Sequence, residues 1–458
     1  MTTKAPTGTG LPARGRRTSL HGLLAAYTVS LFGTRLTMIA LPWLVLVTTG
    51  SATQTGLVVF CEAVPLIVGK TLAGPLIDRV GARPFSVLAD LVSAAVVGLV
   101  PLFYVLDLLP YGLLLGLSAA IGLARGPGDI AKRTMTPEVA EAAGIPLERA
   151  SGLVGTLERL AGTAGPAAAG ALVAFLSPSW AMTANALCFV GSAAAIALTG
   201  PGRTAGAEQA AAAQKEEEES EGYLDRLKEG VRFLRRDRLL RSIAVMLSVT
   251  NLVDAAYGSL LIPVWAKESG GGPAAIGALG SVFGLAALGG SALATAFAHR
   301  LRRRPTYVIA FLIAGPPRFL VMAFDLPLWV VLVVAVFDGL AIGFVNPILN
   351  AVMLERIPRP LLGRVSALTD SVGSAGVPLG PMLAGAAVTA TALGPVLFGC
   401  AALYLASTVL PALRPHWREL DARPGGPADR AADEAEEPEP AVAAGAPTAA
   451  ETAPRTAA

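Results

Sequence analysis

Charge is scarce in this chain. Of 458 residues only 15% are Asp, Glu, Lys or Arg, against roughly 25% in soluble domains, while 53% are hydrophobic and the mean hydropathy is +0.59. That is a membrane composition. The formal net charge of +3 leaves no nucleic-acid footprint, so the charges matter by position rather than by sum. Histidine is nearly absent: His21, His299 and His416 lie beside basic or polar segments at the ends of apolar runs, which leaves no buried imidazole for catalysis. Cys61, Cys188 and Cys400 stand singly, without CxxC spacing or a neighbouring His. Neither a disulfide framework nor a metal site is expected, and no cofactor is called for. Low Lys beside abundant Arg, Ala and Gly fits a GC-rich bacterial genome.

What the chain has instead is long apolar runs. Twelve of about 20 residues lie near 21–48, 55–77, 85–106, 110–134, 151–176 and 179–199, then 240–265, 274–297, 306–324, 327–352, 366–390 and 393–413. In a bilayer these must be helices, because lipid cannot satisfy an open strand edge; barrel strands would be about 10 residues long with alternating polarity. The expected organisation is a tail over 1–20, a six-helix bundle over 21–199, a loop with an amphipathic helix over 200–239, a second six-helix bundle over 240–413 and a disordered tail over 414–458.

Basic residues orient the runs. Alternate loops, taken with that of the N-terminus, hold Lys4, Arg14, Arg16 and Arg17; Arg79 and Arg83; Lys132, Arg133 and Arg149; the cluster from Arg203 to Arg241; Arg300, Arg302, Arg303 and Arg304; and Arg356, Arg359 and Arg364. The opposite loops hold Lys267 alone. By the positive-inside rule both termini and the central loop are cytoplasmic. Two motifs mislead here. Gly69-Lys70-Thr71 has the ending of a phosphate loop, but Val64 stands where the first Gly must be, and Lys70 falls inside an apolar run. Arg16-Arg17 resembles a twin-arginine signal, yet the run that follows is too long for one, and no cleaved segment is expected.

The chain also repeats. A shift of 221 lays GKTLAGPLIDRVGARP on GSALATAFAHRLRRRP, pairing Arg79 with Arg300 and Pro84 with Pro305; a shift of 215 pairs Arg149 with Arg364 and Gly165-Pro166 with Gly380-Pro381. An even number of crossings separates equivalent points, so the halves are parallel repeats, which place a substrate site near the midplane between them.

The stretch Gly74-Pro75-Leu76-Ile77-Asp78-Arg79-Val80-Gly81-Ala82-Arg83 is similar to the loop 2-3 motif G-x-L-a-D-R-x-G-r-[KR] of the major facilitator superfamily, departing from it at Ala82. The resemblance covers roughly residues 20–413. SLFGTRLTMIALPWLVLVTTGSATQTGL and GTAGPAAAGAL look like the branch of macrolide and siderophore exporters; the second is similar to the antiporter motif G-P-x-x-G-G, with Ala169 at its first closing Gly. The resemblance implies an all-α membrane protein of 12 transmembrane helices in two pseudo-symmetric six-helix bundles, the major facilitator fold. It also implies a gating latch between helices 2 and 11, to which Gly74, Asp78, Arg79, Gly81 and Arg83 would belong, and a cavity lined by helices 1, 4, 7 and 10.

A charge inside a span costs at least about 2.5 kcal/mol and points to function. Arg35, Glu62, Lys70, Arg125, Glu158, Arg159, Asp254, Arg318, Asp338 and Asp370 all fall in apolar runs. Four of them, Arg35, Arg125, Asp254 and Asp338, sit on the helices that the resemblance assigns to the cavity, suggesting a basic wall facing an acidic one. Asn251, three residues before Asp254, and Asn346 and Asn350, eight and twelve after Asp338, share about one helical face with the acids and complete the expected substrate contacts, interhelical hydrogen bonding being their other use. Proton coupling requires a carboxylate in apolar surroundings that is reached from either side. Glu62, Asp254 and Asp338 qualify by depth, Glu62 with no basic residue one turn away and with pairing to Arg35 as its other reading. Related antiporters often carry an acid where Arg35 stands. Gly126-Pro127-Gly128 is expected to bend helix 4, and Gly162, Gly165, Pro166, Gly170, Gly376, Gly380, Pro381 and Gly385 to pack where the halves rock. The stripe of Tyr223, Leu224, Leu227, Val231 and Leu234 fits an interfacial helix on anionic lipid.

The reading is a monomeric secondary transporter of a bacterial inner membrane, an antiporter exporting amphiphilic small molecules against protons, with lipids as its surroundings. A metabolite importer or uniporter is the alternative. A membrane enzyme or sensor lacks a metal constellation, a nucleophile elbow or an output domain.

Overall fold

The computed structural model describes residues 13–199, 223–297, 300–358 and 361–421, and side chains in these stretches other than those of 13–18 and 223–227. The first half is α1 (Ala13–Thr49), α2 (Ala52–Val80), α3 (Ala82–Val105), α4 (Tyr111–Ala143), α5 (Leu147–Phe175) and α6 (Pro178–Thr199). A surface helix, Tyr223–Arg236, precedes the second half. That half is α7 (Arg238–Glu268), α8 (Gly272–Phe297), α9 (Arg303–Ala323), α10 (Leu328–Arg356), α11 (Leu362–Ala390) and α12 (Leu393–Ala412). A 3-10 helix, Pro415–Asp421, follows.

Local chemistry sets the boundaries. Ser51 caps α2 by accepting from the Gln54 amide, and the Asp237 carboxylate caps α7 by accepting from the Leu239 and Leu240 amides. The turn from α2 to α3 is a single residue, Gly81, whose φ of 93° is open to glycine and costly for side chains. Among the described residues ten helices are long and apolar enough to cross a membrane. The two others, α4 and α5, are long enough at 33 and 29 residues but carry charge within their length, Arg125, Asp129, Lys132 and Arg133 on one and Glu158 and Arg159 on the other.

Packing repeats with the sequence. Within the first half α1 packs on α5 and α6, α3 on α4 and α6, and α2 on α4; within the second, α7 packs on α11 and α12, α9 on α10 and α12, and α8 on α10. Between the halves α2 meets α11 and α5 meets α8, two contacts that the pseudo-twofold exchanges. Large apolar side chains remain exposed on the outer helices, among them Leu88, Leu91 and Leu102 on α3, Trp180 and Leu187 on α6, and Phe398 and Leu410 on α12. A lipid surface requires that arrangement.

Several expectations are corrected. The fourth run ends at 134 in the sequence reading, but α4 continues to Ala143 through Pro127 and Pro137. The helix is continuous through Gly126-Pro127-Gly128. Gly122 and Gly126 instead lie against the α2 backbone at Glu62 and Leu66, so these glycines serve close helix approach. The surface helix does not merely lie on lipid: it packs on α11, where Gly230 is 2.9 Å, measured from an added Cβ, from Leu368 and Glu229 pairs with Arg364 at 3.0 Å. Of its predicted stripe, Tyr223, Leu224 and Leu227 fall outside the described side chains. The tail is not wholly unstructured from 414, because Trp417 in the 3-10 helix is fully buried and donates from Nε1 to Ser242 Oγ at 2.9 Å. The remainder of that tail, the N-terminal 1–12 and the linker 200–222 lie outside the described residues.

Candidate transport site

Arg35 lies one residue from the midpoint of the span Ser19–Thr49, and Asp254 one residue from that of Arg238–Glu268. The helices around them hold most of the charge that the chain buries.

In the first half Arg125 on α4 donates from Nη1 to Glu62 Oε1 on α2 at 2.9 Å, with both side chains largely buried. The two were expected as a free cation of the cavity wall and a carboxylate without a basic neighbour. They are corrected to an interhelical strut, and Glu62 pairs with Arg125 rather than with Arg35. Arg35 packs over α5, its Cγ 2.6 Å from where a Cβ on Gly165 would stand. One Nη reaches the Met38 sulfur at 3.6 Å, and its Nε is buried without a hydrogen-bond partner.

A second buried pair went unpredicted. Lys132, read as a loop residue, and Asp90 on α3 are each 2% exposed and 2.7 Å apart. Lys132 Nζ also donates to Ser30 Oγ at 3.0 Å, and Ser192 Oγ donates to Asp90 Oδ2 at 2.6 Å. Four helices, α1, α3, α4 and α6, are tied there. The available signal was a lone acid in the third apolar run.

In the second half one guanidinium serves two carboxylates. Arg318 on α9 donates from Nη2 to Asp254 Oδ1 on α7, and its Nη1 lies 3.5 Å from Asp338 Oδ2 on α10. Its central carbon stacks 4.5 Å over Tyr257, 4.9 Å over Phe319 and 5.3 Å over Tyr404, a cation–π cage that holds the charge without water. Local breaks make room for it. A π turn, Tyr257–Leu261, follows Asp254 on α7, and α9 is interrupted at Gly315, where any side chain would strike the Tyr404 ring. Asp338 is 4% exposed and its Oδ1 has no partner, whereas Asp254 is 36% exposed. The acidic wall is thereby corrected: the second half balances two carboxylates against one guanidinium.

The other predicted contacts divide. Asn251 donates to the Gly373 carbonyl of α11 at 3.0 Å, an interhelical bond, while Asn346 and Asn350 are exposed on α10. Glu158 pairs with Arg133 at 3.0 Å; Arg159 and Asp370 are exposed. Lys70 is half-exposed and 3.7 Å from Asp129. At the predicted gate Arg83 donates to the carbonyls of Ala197 and Ile196 at 2.9 and 3.4 Å, closing the end of α6. Asp78 and Arg79 are exposed, and Gly74 has nothing within 4 Å of an added Cβ.

The halves touch at one end. Thr53 Oγ1 on α2 donates to the Gly385 carbonyl on α11 at 3.1 Å and lies 2.8 Å from Thr389 Oγ1. Gly170 on α5 faces Gly277 on α8, where an added Cβ would stand 2.6 Å from the opposing Cα. Lys267 Nζ donates to the Leu46 carbonyl at 2.8 Å. All of these lie at the end away from the basic loops. Toward the basic end Gly74, Gly152, Gly155 and Gly363, on α2, α5 and α11, have open space around them. The contacts between the halves therefore run from the end away from the basic loops to mid-span, where Gly284 on α8 lies against Thr163 on α5.

Two repeat-related halves of six helices, joined at one end over charges at mid-span, define a major facilitator transporter. The family model for transmembrane secretion effectors, of the major facilitator type, matches residues 14–441, and the chain belongs to that family. It is 34% identical over 421 residues to the multidrug efflux pump Tap of Mycobacterium tuberculosis (strain ATCC 25618 / H37Rv), covering 89% of this chain and 96% of that one. To the multidrug efflux pump Tap of Mycolicibacterium fortuitum it is 30% identical over 405 residues, covering 87% and 96%. Among solved structures it resembles the nucleoside transporter NupG, with a TM-score of 0.68 at 12% identity over 86% of this chain and 98% of that one. The D-xylose-proton symporter gives 0.60 at 15% identity over 87% and 96%. At such identities the likeness shows the fold alone.

Proposed function

We propose that the chain is a proton-coupled exporter of amphiphilic small molecules, working by alternating access in a bacterial inner membrane as a monomer, with its basic end and both termini in the cytoplasm. The positive-inside asymmetry supports that orientation, and with the contacts between the halves lying toward the other end, the space between them is read as a cleft open to the cytoplasm, where an exporter loads. The efflux pumps to which the chain is similar support the direction of transport.

The observation that carries the coupling is Arg318 shared between Asp254 and Asp338 at mid-span. Two carboxylates beside one guanidinium leave one negative charge in excess, which a proton removes. Asp254 is the half-exposed member, placed to exchange that proton with the cleft; Asp338 is the sealed one. When one carboxylate is protonated, Arg318 is freed from one of its two partners, and α7, α9 and α10 can repack. Arg35, Asp254 and Asn346 then face the substrate, flanked by the Glu62–Arg125 strut, while the bonded amide of Asn251 positions α7 on α11. The basic end of α2, with Gly74, Asp78 and Arg79, and the Gly81 turn act as the gate when the basic end closes, Arg83 holding them to α6.

Flux in inverted vesicles, with and without an imposed pH gradient, tests this. Gradient-driven accumulation of amphiphilic dyes is expected, abolished by Asp338→Asn and strongly reduced by Asp254→Asn; Glu62→Gln should act through stability instead. Full gradient-driven flux in both aspartate variants would remove the coupling assignment, and accumulation with the opposite gradient dependence would make the chain an importer.

A further inference from the structure

We infer that Arg35 is the seat for an anionic group of the transported molecule, so that the favoured substrates are amphiphiles bearing a carboxylate or a comparable anion. This rests on the export reading and adds to it the substrate class.

The charge inventory at mid-span carries the inference. Arg125 is neutralised by Glu62, Arg318 by Asp254 and Asp338, Lys132 by Asp90, and Lys70 is near Asp129. Among the described residues no carboxylate lies within 4 Å of Arg35, and its buried Nε has no partner. The charged groups whose fields reach it, Arg125 and Glu158, are already paired with Glu62 and Arg133. A guanidinium at membrane depth with no counter-ion is costly unless something discharges it.

Packing does not demand it. Gly165 lies on Arg35, and its repeat equivalent Gly380 lies on α7 at Leu252 and Ala256. The shift of 221 residues that relates the halves places Ala256 where Arg35 stands. The glycine contact is met by α7 backbone in the second half and by the aliphatic stem of Arg35 in the first, so it does not call for the charged group. The side chain is also within reach of the cleft. α1 is flanked by α2, α4, α5 and α6 in its own half and by α7 and α8 across, yet Met38, which touches the Arg35 guanidinium, is 46% exposed. A planar fork of N–H donors takes a carboxylate with two parallel bonds. Arg35 offers one such fork, and the excess negative charge at Arg318 lies at matching depth on the other wall.

The test uses two dyes that differ in one group: rhodamine B, which has a carboxylate, and its ethyl ester, which lacks one. Binding to the purified full chain in detergent is read by fluorescence polarisation. The wild-type chain is expected to bind rhodamine B more tightly than the ester. Arg35→Gln should weaken rhodamine B about tenfold or more, the scale of a charge-assisted hydrogen bond, and leave the ester within about twofold; Arg35→Lys should fall between. Equal losses for both dyes would assign Arg35 to structure. A wild-type chain that binds rhodamine B no better than the ester, or fails to bind it, overturns the inference whether or not the variants fold. The readout is equilibrium binding, so a failure of gradient-driven flux would sink the export reading while leaving this result standing.

Discussion

Lys132→Met should destabilise the chain more than the double change Lys132→Met/Asp90→Ala. The single variant leaves a carboxylate sealed among α1, α3, α4 and α6 with only Ser192 to donate to it, and an uncompensated buried charge costs about 3–5 kcal/mol. The double variant removes both charges and leaves a cavity, a smaller loss. Thermal unfolding in detergent measures the order, and the reverse order would mean that the pair does not tie the four helices together. The pair also marks the limit of sequence reading at this scale. A charge in an apolar run is anomalous on sight, so Arg35, Asp254, Asp338 and Arg318 were all visible. Their partners were not, since Glu62–Arg125 and Arg318–Asp254 join different helices and only packing brings them together.

Helix surfaces carry the next set of expectations. Gly170→Leu places a side chain where the α8 backbone passes, with Gly277 Cα and the Pro273 carbonyl 2.6 and 2.7 Å from the new Cβ. The closed end should be pried apart, lowering flux and raising the labelling of Thr53→Cys by an impermeant thiol reagent from the side away from the basic loops; unchanged labelling would mean that this contact is not the closure. The α2–α11 contact makes a second prediction through its register. Thr53 lies opposite Gly385 and Thr389, and Gly56 opposite Pro381. Extended antiparallel toward the basic end, that register brings Lys70 opposite Asp370, both exposed now. When the cleft closes there the two should pair. Lys70→Asp should slow flux several-fold and Asp370→Lys in the same chain should restore it; a double variant as slow as the single would remove the pair from the gate. Of the glycines expected where the halves rock, Gly170 and Gly385 do lie across the α5–α8 and α2–α11 contacts, whereas Gly165, Gly376 and Gly380 lie on α1 and α7 of their own halves; a small residue marks close approach without naming the partner. The true extent of α4 escaped the sequence, since Lys132 and Arg133 read as a loop until Asp90 and Glu158 supply them with partners.

Across the whole molecule the two halves are alike in packing. The second half is fastened by the segment after α12. Trp417 fills a fully buried site against Tyr307 and Ser242. Glu419 accepts from Arg356 Nη2 at 2.6 Å, and the same guanidinium donates from Nε to Asp237 Oδ2 at 2.5 Å. Because Asp237 caps α7 and Arg356 ends α10, this chain of contacts joins the start of α7, the end of α10 and the 3-10 helix at the basic end. Repeat logic offered no hint of it, and the composition after Arg414 reads as a tail. Truncation after Asp421 should therefore keep stability and flux, whereas truncation after Arg414 should cost both. Trp417→Ala alone should lose about 3–5 kcal/mol, and Glu419→Gln less, since its partner Arg356 keeps Asp237. Unfolding of the four variants in detergent beside vesicle flux separates the outcomes. Equal stability of the two truncated chains would show that the clip contributes nothing; loss of flux in the longer chain at full stability would place a functional element beyond Asp421.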